Sequence, residues 1–252
     1  MLRTRVIPCL LLKDGGLVKG IEYKNHKYVG DPINAIKIFN DKEVDELIVL
    51  DILASKNGMG PNFTLVEQFA SECFMPLCYG GGIETIEQAK TLFSLGVEKI
   101  CIQSSAYKDL EIIKEISRKF GSQSVVVSID IKTNWLKRKN LYYAANKKFV
   151  KHSWMEFIQE SIASGAGELM INSVDYEGHM NGMDLELIAQ VCESVPIPVI
   201  AGCGVGNLDH IKSASKVGAS AIAVGSYFVY HGRHRAVLIT FPKYQELENL
   251  FT

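Results

Sequence analysis

The chain has 252 residues, 47% of them hydrophobic and 22% charged, with a formal net charge of −1. That composition supports a large buried core and excludes a disordered chain, while the near-zero charge leaves no electrostatic footprint for nucleic acid or an anionic membrane. No apolar run approaches the roughly 18 residues of a membrane span, and Met1-Leu-Arg-Thr-Arg5 lacks the small-residue site of a cleaved leader, so a cytoplasmic protein without a membrane partner is expected.

Short β-branched runs alternate with helix-period segments along the chain. They predict strands at Val6–Leu12, Leu47–Ile52, Leu77–Gly80, Ile100–Ser104, Val125–Ile131, Leu169–Val174, Val199–Gly202 and Ala221–Ser226. Amphipathic stretches such as Thr85–Leu95 and Asp109–Phe120 predict helices between them. Eight strands, each followed by a helix, close a (β/α)₈ TIM barrel, whose usual size is about 250 residues, as one unit spanning 1–252. The competing open, doubly wound sheet lacks its glycine-rich turn after the first strand. Cys9, Cys73, Cys78, Cys101, Cys192 and Cys203 form no Cys-x-x-Cys pair, and most lie in apolar runs, as reduced core thiols do. The six histidines are scattered, so neither a metal nor a cofactor is expected.

The halves of the chain repeat each other. Glu46 and Glu168 are 122 positions apart, and the same shift carries Leu65 to Leu187, Pro76 to Pro198, Gly80 to Gly202, Gly82 to Gly204 and Ser104 to Ser226. A half-chain repeat with four strands per half predicts two half-barrels, about 1–122 and 123–252, with sites in pairs across the mouth. Tyr79-Gly-Gly-Gly-Ile83 faces Ala201-Gly-Cys-Gly-Val205, and Gln103-Ser104 faces Gly225-Ser226, each pair at strand ends. Gly82, Gly204 and Gly225 let backbone N–H groups approach a phosphate, and Gln103, Ser104 and Ser226 add side-chain donors. Glycines after strands also serve merely to turn the chain, but two grips related by the repeat favour a long ligand with a phosphate at each end.

Over essentially its whole length the chain resembles the HisF family, the cyclase subunit of imidazole glycerol phosphate synthase. The resemblance rests on Cys9-Leu-Leu-Leu-Lys-Asp-Gly15, Val18-Lys-Gly20, Leu50-Asp-Ile52, Tyr79-Gly-Gly-Gly-Ile83, Phe120-Gly-Ser-Gln-Ser-Val125, Ser128-Ile-Asp-Ile-Lys132 and Ser173-Val-Asp-Tyr-Glu-Gly178. It implies a HisH-like glutaminase partner docked on the barrel floor. Ammonia would cross the barrel to attack a bisphosphorylated ribulosyl intermediate at the top. It also implies that Lys19 lies on the substrate loop, that Gly178 joins the phosphate sites, and that Arg5, Glu46, Lys99 and Glu168 form a charged ammonia gate. Each of the four stands immediately before an apolar strand run. Taken singly they would be surface charges, but as a set they can compensate one another inside a barrel.

The family's two catalytic aspartates, at the tops of strands 1 and 5, fall on Leu11 and Asp130. Leucine exchanges no proton, a loss that typically costs about 10²–10⁴-fold in rate. The departure, with Gln103-Ser104, Glu177-Gly-His179 and Cys203-Gly204 around the same mouth, resembles the AglZ-like acetamidino modification branch. So do Lys27-Tyr-Val-Gly-Asp-Pro-Ile-Asn34, Cys73-Phe-Met-Pro76 and His231-Gly-Arg-His-Arg-Ala-Val-Leu238. That branch implies a sugar amidotransferase as a further partner, in the making of a bacterial surface polysaccharide. Two other readings stay open: a histidine-pathway cyclase with Asp14 or Asp51 substituting for the missing carboxylate, and a non-catalytic ammonia conduit.

Overall fold

The computed structural model describes residues 3–251. Eight parallel strands run β1 (Arg5–Lys13), β2 (Leu47–Asp51), β3 (Leu77–Gly80), β4 (Lys99–Ile102), β5 (Val125–Thr133), β6 (Glu168–Ser173), β7 (Val199–Gly202) and β8 (Ala221–Val224). Each pairs with the next, and β8 returns to β1 with Ala221 opposite Arg5 and Val224 opposite Pro8. That closing ladder makes the sheet a TIM barrel and removes the open-sheet alternative. Helices fill every crossover, and several begin with a side-chain cap: Asp31, Asn62, Ser153, Asp184 and Asn207 accept an N–H three residues on. Thr85 and Gln88 form a reciprocal capping box on the helix Ile86–Ser94; such caps contribute about 1 kcal/mol each.

Two predicted strands end two residues early. Ser104 and Ser226 are the first residues of short helices, Ser104–Lys108 and Ser226–Val229, rather than strand ends. The preceding Gln103 and Gly225 leave the extended region (ψ −65° and −90°) and turn the chain. The predicted Asp109–Phe120 helix is Glu111–Phe120, with Asp109 extended between it and the short helix.

Period-two alternation sorts each strand's side chains into two cores. The larger lies between sheet and helices, with Leu10, Phe39, Phe69, Tyr79 and Phe228 among its buried members. The smaller fills the barrel itself with Ile7, Cys9, Ile48, Cys78, Cys101, Val126, Met170, Ile200, Ala221 and Ala223, capped by Leu11 and Leu50. Three cysteines thus face the barrel interior; all six are free, the other three half-buried.

The repeat is visible in the ladder. Leu11 stands opposite Leu50, and Asp130 opposite Asn172, while Leu50 and Asn172 are 122 positions apart. Leu11 and Asp130 therefore hold corresponding places at the mouth. Beyond the barrel, β1 continues into a hairpin, Gly16–Ile21 with Lys24–Gly30, and β5 into Lys139–Tyr143. Neither extension was visible as a strand in the sequence, because both are short and neither alternates cleanly between buried and exposed residues.

Candidate functional site at the barrel mouth

Asp130 comes from the inward side of β5 and is only 3% exposed. Its Oδ1 accepts from Tyr23 Oη at 2.9 Å and from Asn172 Nδ2 at 3.0 Å, and Gln103 also bonds to the carboxylate. Burial raises its pKa to about 6, and the three donors only partly offset that effect. A carboxyl with a pKa near neutrality, at the C-terminal end of a barrel, is suited to proton transfer. Leu11 and Leu50 line the same cavity and supply no second acid. Of the candidate substitutes, Asp14 sits exposed in the turn at φ 50°. Asp51 lines the cavity but accepts the N–H groups of Leu53 and Ala54.

The hairpin after β1 crosses the mouth. Its two-residue tip, Glu22-Tyr23, has φ of 49° and 60°, unusual for non-glycine residues and held by specific contacts. Glu22 N–H donates to Glu177 O, Tyr23 N–H to Glu177 Oε2, and Tyr23 Oη to Asp130. Glu22 also meets His179 and Lys132. Gly178 permits this closure: a Cβ there would lie 2.1 Å from Gly20 O.

Seated this way, the hairpin divides the mouth. A wide cavity of about 510 Å³ lies over β2 to β5, lined by Gly81, Gly82, Gln103, Ser104 and Asp130 among others. A narrow one of about 80 Å³ lies under the hairpin, lined by Lys19, Gly178, Gly204, Gly225 and Ser226. The two sets of sequence-predicted phosphate residues thus fall on opposite sides of Tyr23, which lines both cavities. Gly82 N–H already donates to Ser55 Oγ at 3.2 Å, so a ligand there would replace a hydroxyl of the loop after β2. Lys19 is 4% exposed, donates to Cys9 O at 2.7 Å and faces Gly225; burial lowers its pKa.

At the opposite end, Arg5, Glu46, Lys99 and Glu168 do come together. Arg5 bonds both glutamates, and Lys99 reaches Glu46 at 3.0 Å and Glu168 at 3.2 Å. The four close a ring across the floor, largely withdrawn from solvent, with Glu168 Oε2 buried and unpartnered. Between this floor and the mouth the small side chains of Cys9, Cys78, Cys101, Ala221 and Ala223 are interleaved with the larger Ile7, Ile48, Val126, Met170 and Ile200. Among the described residues, no group of three His, Cys, Asp or Glu side chains could hold a metal ion, and no helix is long and apolar enough to cross a membrane.

The sequence reading placed Glu177 at the mouth but not its bonds to the hairpin tip, and missed Tyr23, Asn172, Ser55 and the basic residues around the wide cavity. Asn172 could have been found as the repeat partner of Leu50. Tyr23 carried no signal, because its role depends on a hairpin folding back over the strands.

A family model described as Histidine biosynthesis protein matches residues 5–235. The chain belongs to the HisF family of histidine biosynthesis proteins. Among its HisF relatives, the "Putative imidazole glycerol phosphate synthase subunit hisF2" of Pseudomonas aeruginosa is 50% identical over 98% of this chain and 99% of its own. The "Putative imidazole glycerol phosphate synthase subunit HisF" of Leptospira borgpetersenii is 47% identical over the full length of both. The "Imidazole glycerol phosphate synthase subunit HisF" of Exiguobacterium sibiricum is 38% identical over 90% of this chain and 91% of its own.

Proposed function

We propose that this HisF-family barrel receives ammonia from a HisH-like glutaminase at its floor and delivers it at its mouth. There it serves a sugar amidotransferase in acetamidino modification of a bacterial surface polysaccharide. The observation that carries this reading is the contrast between the two ends. The floor keeps a complete four-charge ring, whereas the mouth has Leu11 in the place that corresponds to Asp130. Glu168 Oε2 offers a buried acceptor to the N–H groups of a passing ammonia. Phe74 and Tyr244, 83% and 64% exposed at the same end, offer aromatic anchors for a docked partner. In this reading Asp130 is the proton-transfer group of the mouth, Lys19 belongs to the substrate loop, and Gly82, Gln103, Ser104, Gly178, Gly204, Gly225 and Ser226 hold a phosphorylated ligand.

The test is turnover of the bisphosphorylated ribulosyl intermediate at saturating ammonium. With one of two proton-transfer groups missing, the expected rate is below about 10⁻² of an ordinary cyclase. A rate near the ordinary level would overturn the proposal and make the protein a working cyclase. Mixing at micromolar concentrations with a HisH-like glutaminase should give a complex with raised glutaminase activity. No complex at that concentration would remove the partner.

A further inference from the structure

The wide cavity is ringed by cations that the phosphate residues named above do not include. Lys13, Lys24, His26, Lys56 and Lys147 all line it, and among the described residues none of the four lysines forms an ion pair. Their charges reach His26, which is held below its ordinary pKa first by burial and then by Lys13, Lys147, Lys19 and Lys56. The cavity's two carboxylates offer little relief, since Asp51 caps its own loop and Asp130 is engaged by Tyr23 and Asn172. A chain with net charge −1 has thus gathered four lysines outside any ion pair around one opening, with Glu22 of the hairpin tip acting, among the four, only on Lys24, a field that attracts a compact polyanion. The narrow cavity has a single buried lysine, Lys19, already bonded to a carbonyl. A ligand with phosphates at both ends would have to pass Tyr23 and break its bond to Asp130.

We propose that the mouth's ligand is a diphosphate ester held by one end in the wide cavity, gripped by Lys13, Lys56 and Lys147, with Tyr23 excluding two-ended bisphosphates. This rests on the reading of the mouth as a phosphate site and narrows that site to the side of Gly82, Gln103 and Ser104; Gly178, Gly204, Gly225 and Ser226, beyond Tyr23, then take no phosphate of this ligand. Tyr23 is then a specificity-determining residue: it closes off the second grip while leaving the first open.

The experiment is calorimetric titration of the full chain with inorganic phosphate, inorganic pyrophosphate and fructose 1,6-bisphosphate. Pyrophosphate should bind one per chain, at least tenfold tighter than either of the others. Lys56→Ala and Lys147→Ala should each weaken it about three- to fivefold, as expected for exposed charges, and Lys37→Ala, on a distant helix, should not. Tyr23→Phe should tighten the bisphosphate about tenfold, because it removes a hydrogen bond to a carboxylate, and should move pyrophosphate less than twofold. A bisphosphate that binds wild type as tightly as pyrophosphate, or lysine variants without effect, would overturn the proposal while leaving the phosphate site standing. Absence of binding by all three at millimolar concentration would remove both.

Discussion

Asp130 binds its proton more tightly in the folded chain than in the unfolded one, and stability must record this. Its pKa rises from an ordinary 3.8 to about 6 because burial outweighs its donors. Between those values the folded state carries the extra proton, so stability falls as pH rises through roughly 4 to 6 and stays lower above. The difference corresponds to about 2–3 kcal/mol. Asp130→Asn keeps an acceptor for Tyr23 and Asn172 without the buried charge. It should therefore be more stable than wild type at pH 7.5, by about 1–3 kcal/mol, with the gain shrinking toward pH 4. Urea unfolding across that range measures it; a variant less stable at pH 7.5 would mean that the carboxylate is a structural partner rather than a strained functional group. The sequence marked Asp130 through its place on the strand and in the family pattern, but its environment was not legible. That environment comes from Tyr23, Gln103 and Asn172, which are 107, 27 and 42 positions away.

At the scale of elements, the barrel was legible because each strand carries its own signal, a β-branched run ended by a turn, and because the two halves carry the same signals twice. The hairpin Gly16–Ile21 with Lys24–Gly30 was not, since its exposed strand, Lys24-Asn-His-Lys-Tyr-Val-Gly30, follows no apolar period. Its base is fixed by the ladder with β1 and by buried Leu17 and Val29, and its far end is held over the mouth at the tip and at one close approach, Gly178 to Gly20. Gly178→Ala would put a Cβ 2.1 Å from Gly20 O, at φ 75°. The hairpin should lift while the barrel beneath, paired strand to strand, stays folded. Trypsin should then cut at Lys24 and Lys27 at least several-fold faster than in wild type, with far-ultraviolet circular dichroism unchanged. Unaltered cleavage would show that the tip contacts at Glu177 and Asp130 suffice without the glycine.

At the scale of the molecule, floor and mouth are the two ends of one apolar interior, and the proposed function assigns them separable tasks. Glutamine-derived ammonia must pass the floor ring, whereas free ammonium reaches the mouth from solvent. Lys99→Ala leaves Glu46 and Glu168 to Arg5 alone; removing one partner from a buried set costs about 3–5 kcal/mol, so the variant must be compared at a temperature where it remains folded. In a reconstituted system with glutaminase and sugar amidotransferase, it should lower glutamine-dependent product formation several-fold and leave ammonium-dependent formation nearly intact. Asp130→Asn, at the other end, should lower both, because either source of ammonia is used at the same mouth. A barrel that only conducts would instead be indifferent to Asp130→Asn with glutamine as with ammonium. The buried carboxyl held by three donors, and the cations around the cavity beside it, favour the first outcome, since a passage for a neutral molecule has no use for either. Product formation unchanged by Asp130→Asn under both nitrogen sources would reduce the barrel to a conduit. Loss confined to Lys99→Ala with glutamine would place its whole contribution at the floor.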